Sequence, residues 1–126
     1  SIKNLTFRNN FNQSVNHLPN SIISLAFESC SEFNQSVDHL PNSLIILTLG
    51  SKFNISVDYL PNSIKNLKFG YSFNQPVDYL PNSIISLIFD YSFNQSIDHL
   101  PNSITSLVFG YDFNQPVDYL SNSIIH

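Results

Sequence analysis

The chain has 126 residues, of which only 11% are charged, and its formal net charge is −4. A net charge of that sign argues against a binder of phosphate backbones by bulk electrostatics, and no apolar run approaches the ~20 residues that span a bilayer. Asn and Ser fill polar positions that charged residues would occupy in an average globular chain. The 42% apolar share is ordinary and sufficient for a core.

One cysteine, Cys30, rules out a disulfide within the chain and points to a reducing, intracellular and cytoplasmic setting. There is no starting Met and no signal peptide. The ends, Ser1-Ile2 and Ser123-Ile124-Ile125-His126, fall in mid-repeat, so a segment of a longer chain is expected.

The pattern that governs the rest is repetition. Phe-Asn recurs at Phe11, Phe33, Phe53, Phe73, Phe93 and Phe113, with one interval of 22 residues and four of 20. Leu-Pro recurs at Leu18, Leu40, Leu60, Leu80 and Leu100, while Leu120 is followed by Ser121. A fixed period of this length marks a stacked array in which each copy buries its apolar side against its neighbours.

Each copy opens with an apolar-x-x-apolar-x-apolar segment. The segments are 2–7, 22–27, 44–49, 64–69, 84–89 and 104–109. Their last four residues alternate with period 2, which predicts a strand. A Ser precedes each one, at positions 1, 21, 43, 63, 83 and 103, and again at 123 before the truncated last copy. A short polar turn follows the strand, as in Gly70-Tyr71-Ser72. In the second copy this turn is Glu28-Ser29-Cys30-Ser31-Glu32, and its two extra residues account for the 22-residue interval. Cys30 is therefore expected on an exposed bulge, as a spectator rather than a nucleophile.

Phe-Asn-x-(Ser/Pro)-Val comes next. Pro76 and Pro116 cannot donate to a sheet ladder, so this side of the coil is not a regular central strand. Val77 and Leu80, three apart, suit either one helical turn or an extended three-per-turn segment. Leu-Pro-Asn-Ser then turns the chain into the next strand. The expected core of the fourth coil is Ile64, Leu67, Phe69, Phe73, Val77 and Leu80. All copies run the same way, so the strands must pair in parallel. At about 4.8 Å per strand, the coils would stack to roughly 30 Å. The fold class is a β-rich repeat solenoid over residues 1–126, one strand per 20–22-residue coil, with an irregular or short-helical opposite side.

Phe73-Asn74-Gln75-Pro76 followed by Val77-Asp78-Tyr79-Leu80-Pro81-Asn82-Ser83-Ile84 resembles the FNIP repeat, itself similar to leucine-rich repeats. Ile64-x-x-Leu67-x-Phe69 resembles the leucine-rich-repeat strand. In that family an Asn three residues on ties up loop backbone. Here Ser72 holds that place, and Asn74 with its equivalents is expected to supply a shifted ladder. The resemblance implies a protein-interaction scaffold or recognition module, and substrate binding in an F-box-type ubiquitin-ligase adaptor. The alternative is a structural, self-assembling solenoid, a portion of a fibre or longer array.

Several recurring groups invite chemical readings. Asp38, Asp58, Asp78, Asp98 and Asp118 form a column, with Asn16 in the first copy. A cation-binding row competes with a turn-holding role in which each carboxylate accepts backbone N–H groups, and the Asn exchange favours the second. His17, His39 and His99 share a column with Tyr59, Tyr79 and Tyr119, so the position asks for a flat amphipathic ring rather than a metal ligand or proton carrier. Sequons at Asn4, Asn12, Asn34, Asn54 and Asn94 read as repeat spelling, with glycosylation of a surface receptor the competing reading. No catalytic, cofactor or metal site is expected, and no enzyme.

What varies is the outward strand face and the turn beside it. Lys65, Lys68, Ile85, Ile88 and Val108, with the column Tyr71, Tyr91 and Tyr111, are the candidate partner-binding residues. The expected partner is a protein, with neither nucleic acid nor membrane, and end-to-end association of copies is the competing expectation.

Overall fold

A computed structural model describes residues 1–120 and Ile124. The loss of proline at Ser121 and the last serine, Ser123, lie outside the described residues. Six strands, β1 (Asn4–Phe7), β2 (Ser24–Phe27), β3 (Ile46–Thr48), β4 (Asn66–Lys68), β5 (Ser86–Ile88) and β6 (Ser106–Val108), form one parallel sheet in sequence order. The register is that of the repeat: Leu25 pairs with Leu47, Leu47 with Leu67, Leu67 with Leu87 and Leu87 with Leu107.

The strands are shorter than the apolar segments that contain them. Their first residues are spent on a turn: the N–H groups of Ile22, Leu44, Ile64, Ile84 and Ile104 donate back to the carbonyls of Pro19, Pro41, Pro61, Pro81 and Pro101 at 3.2–3.4 Å. That closes Pro-Asn-Ser-Ile into a β-turn, with Asn and Ser at its two central positions. The remaining side of the coil is a run of turns, and no helix occurs among the described residues.

The core is a set of columns, one residue deep per coil. Ile22, Leu25, Phe33 and Val37, with their equivalents through the middle coils, are all but inaccessible to solvent. Phe11, Phe33, Phe53, Phe73, Phe93 and Phe113 stack face to face at 6.1–6.2 Å and 2–18°. The strand-end rings form a second column, with Phe69 to Phe89 at 5.5 Å and Phe89 to Phe109 at 5.8 Å. Leu49 interrupts it in the third coil. Within a coil the two rings meet closely, 3.7 Å for Phe69 with Phe73.

Equivalent rings lie 4.7 Å apart for Tyr71 and Tyr91 and 6.1 Å apart for Phe73 and Phe93. Strands lie about 4.8 Å apart.

Polar ladders run beside the apolar ones. The backbone N–H of Asn34, Asn54, Asn74, Asn94 and Asn114 each donates to the side-chain oxygen of the preceding Asn, always at 2.9 Å. This is the shifted Asn ladder expected from the repeat. Gln75, Gln95 and Gln115 add a bond from Nε2 to the same oxygens. Ser21, Ser43, Ser83 and Ser103 donate to the carbonyls of Ile2, Ile22, Ile64 and Ile84 at 2.5–2.6 Å.

Ser and Pro alternate for a readable reason. Where Ser is present, its hydroxyl accepts the N–H two residues on: Ser14 from Asn16, Ser36 from Asp38, Ser56 from Asp58 and Ser96 from Asp98. Where Pro76 stands, the ring fixes the same turn through φ. This corrects the expected role of the Asp column. The Asp residues give their own N–H to the turn, and their exposed carboxylates do not hold it. Glycine after the strand answers to close approach: a Cβ at Gly70 would meet the carbonyl of Gly50, and one at Gly110 that of Asp90.

Three outcomes follow. Asn74→Ala removes the acceptor for the Asn94 N–H and should cost about 1–3 kcal/mol. Asn82→Ala, an equally repeated but exposed residue, should change stability by about 0.5 kcal/mol or less; urea unfolding of both separates ladder from lattice. Gly70→Ala should destabilise by about 1–3 kcal/mol in the same assay. Cys30 is exposed, so a thiol reagent should label it fully in the folded chain without changing the circular dichroism.

Candidate interaction groove and sheet face

The turn after each strand places one side chain per coil beside the sheet edge. In the last three copies it is Tyr71, Tyr91 and Tyr111, whose rings stack at 4.7 and 5.1 Å. The loop backbones carry the same stacking: Ser72 N–H donates to the Ser51 carbonyl, Ser92 to Tyr71 and Asp112 to Tyr91. Lys52 N–H likewise donates to the Ser31 carbonyl. The column thus continues upstream as Ser51 and Ser31, without a ring.

A groove of about 550 Å³ occupies this place. That volume lies within the range of ligand-sized clefts. Leu49, Phe69 and Phe27 lie at its base, the strand-end positions of three successive coils. Tyr71 closes one end, Ser51 and Ser29 line the ring-free side, and Lys52, Lys68 and Asp90 supply charge. Three of the third copy's differences from the fourth line it: Leu49 for Phe, Ser51 for Tyr and Lys52 for Ser. The two-residue insertion of the second copy widens the loop above, where Ser31 is buried and its hydroxyl accepts the Phe33 N–H.

The charges in the groove are unequally satisfied. Asp90 Oδ1 accepts the Tyr91 N–H at 2.8 Å. Neither lysine has an ion-pair partner among the described residues. A shallower depression of about 50 Å³ continues over the outward sheet face past Ile46, Thr48, Asn66, Lys68 and Ile88.

Of the candidate residues, Lys68 and Tyr71 come together in the groove, and Lys68 with Ile88 on the sheet face. Tyr91 and Tyr111 extend the ring column away from the groove, Tyr111 at 81% exposure. Lys65, Ile85 and Val108 are exposed but line neither depression. Sequence reasoning missed Ser29, Ser51, Lys52 and Asp90. Their signal was present as the absence of Tyr from the third copy, a gap visible only when the column is read for what is missing.

The second aromatic column behaves differently. Tyr59 and Tyr79 are 71% and 70% exposed, and no ring stacking joins them. His99 Nδ1 lies 3.3 Å from Asp78 Oδ1, both well exposed. Among the described residues, no group of three His, Cys, Asp or Glu side chains converges as a metal site, and no helix is long and apolar enough to cross a membrane.

The fold and its departures can now be set beside known proteins. The crystal structure of CroV588, a novel circular LRR protein structure, is similar over 94% of this chain at 39% identity, with a TM-score of 0.69. The chain spans 22% of the length of that protein. No curated protein matches. The FNIP Repeat family model matches residues 33–72, 54–92, 73–99 and 93–124. With most of its coils matched in register, the chain belongs to the FNIP repeat family.

Proposed function

We propose that this solenoid is a protein-interaction module that works by display, not by catalysis. The observation that carries the reading is the division between invariant and variable positions. Inward Phe, Leu and Ile, and the Asn ladder, repeat in almost every coil, while the outward sheet face and its flanking loop change from coil to coil. A stack held by its columns leaves those positions free for recognition. Ile46, Ile85 and Val108 are exposed apolar residues on or beside that face, and Tyr91 is an exposed ring of the type that anchors interfaces. The partner is a protein rather than nucleic acid or membrane, consistent with a net charge of −4.

A finer reading makes this the substrate-recognition part of a ubiquitin-ligase adaptor. It rests on the family resemblance alone, and an F-box in the same open reading frame is its test. The single exposed cysteine fits a cytoplasmic setting.

A second reading, self-association of coils end to end, is favoured by the similarity to a circular LRR protein. Light scattering behind size exclusion discriminates: display predicts a monomer at every accessible concentration, and self-association predicts a mass that grows with concentration.

The display reading predicts that Tyr91→Ala, Ile88→Thr and Lys68→Ala together weaken binding of a purified partner by roughly a hundredfold, about 2–3 kcal/mol. The circular dichroism should be unchanged. Undiminished binding by the triple variant overturns the assignment.

A further inference from the structure

The groove beside Tyr71 is a vacant rung in an aromatic ladder. Tyr71 has Tyr91 on one face of its ring at 4.7 Å, and on its other side the column continues as Ser51. The groove lies between them, with the apolar floor of Leu49 and Phe69 beneath. A flat ring laid on Tyr71 would continue the ladder at the spacing the protein already uses, in the offset-stacked geometry that aromatic pairs prefer.

Charge defines what the ring should carry. The chain has five Lys and Arg residues against nine Asp and Glu, yet two of those five line this one groove. Among the described residues Lys52 and Lys68 have no carboxylate partner, while the carboxylate that lines the groove, Asp90, already accepts a backbone N–H. An acidic chain that gathers unpaired lysines around an apolar slot is complementary to an anion with an apolar body. The slot also runs on: Thr48 and Lys68 belong to both the groove and the depression that crosses the sheet face past Ile46 and Ile88. An elongated track of that kind suits an extended peptide better than a compact small molecule.

We infer that the groove binds a peptide segment in which an aromatic side chain is flanked by carboxylates. The ring takes the vacant rung on Tyr71, and the carboxylates meet Lys52 and Lys68. This deepens the display reading and rests on it.

The test is calorimetric titration with the acetylated, amidated peptide Glu-Glu-Tyr-Glu-Glu. The native chain should bind it in a salt-dependent way. Ser51→Tyr puts a ring of the protein's own into the rung and should weaken binding by roughly tenfold or more. Lys52→Glu with Lys68→Glu should do the same by reversing the charge, and this surface pair carries the test if Ser51→Tyr proves unstable in thermal unfolding. Replacing the peptide's tyrosine by alanine should abolish binding. No binding to the native chain overturns the inference, as does equal binding by Ser51→Tyr or by the alanine peptide. Any of these leaves the broader reading to be judged separately, because Ile85→Thr with Val108→Thr alters the sheet face without touching a residue that lines the groove.

Discussion

One constraint governs the molecule: every coil must place the same backbone atoms and the same ring at the same position on its neighbour. The Phe column from Phe11 to Phe113 holds 6.1–6.2 Å across every step, and the strand register is unbroken over the same coils. A coil of about twenty residues buries little by itself, so its stability is nearly all interface with the coils on either side. The two-residue insertion at Glu28–Glu32 is tolerated because it falls between the strand and Phe33, where the chain can bulge without moving either column. Loops accept such changes and packed columns do not.

The same constraint explains the odd composition. A parallel stack brings every polar side chain within about 5 Å of its own copy. A charged residue so placed meets a like charge in each neighbour, which is destabilising across a sheet. Asn, Gln and Ser escape this, because each offers a donor or acceptor that the next coil can use. Asn74 accepts from the Asn94 backbone, and Gln95 reaches the same oxygen. The exposed Asp column survives at the rim, where water screens it. At Asp78 one of its carboxylates faces the imidazole of His99. The exchange of Ser96 for Pro76 preserves a turn by two unrelated means, a hydroxyl acceptor and a fixed φ.

Much of this was legible in the chain itself. Period, parallel pairing and inward Phe follow from spacing and polarity, since each is a property of one copy multiplied, and the shifted Asn ladder follows from the resemblance to leucine-rich repeats. Strand length was overestimated, because the backbone N–H groups of Ile64 and Ile84 are drawn into the proline turn, and apolar periodicity does not record where a hydrogen bond goes. The Asp role was misassigned for a related reason. Asp58 and Ser56 both suit a turn, and only coordinates decide which side chain accepts. The candidate site was half legible: Lys68 and Tyr71 stood out as residues present, while Ser51 mattered as a residue where a ring is lacking.

That asymmetry has a physical basis in the two aromatic columns. The inner Phe column cannot lose a ring, since the gap would be a buried cavity costing several kcal/mol; at the strand end Leu49 replaces Phe and keeps the place apolar. The Tyr column stands at the edge, where a lost ring leaves a hollow open to solvent rather than a void in the core. Such a hollow is cheap to create and inherits an apolar floor, a ring wall and the rigidity of the stack beneath it. In a protein whose interior is bound to uniformity, the edge is where a pocket can arise by subtraction. The third copy, with Leu49, Ser51 and Lys52 around one such hollow beside Tyr71, is where this chain has one.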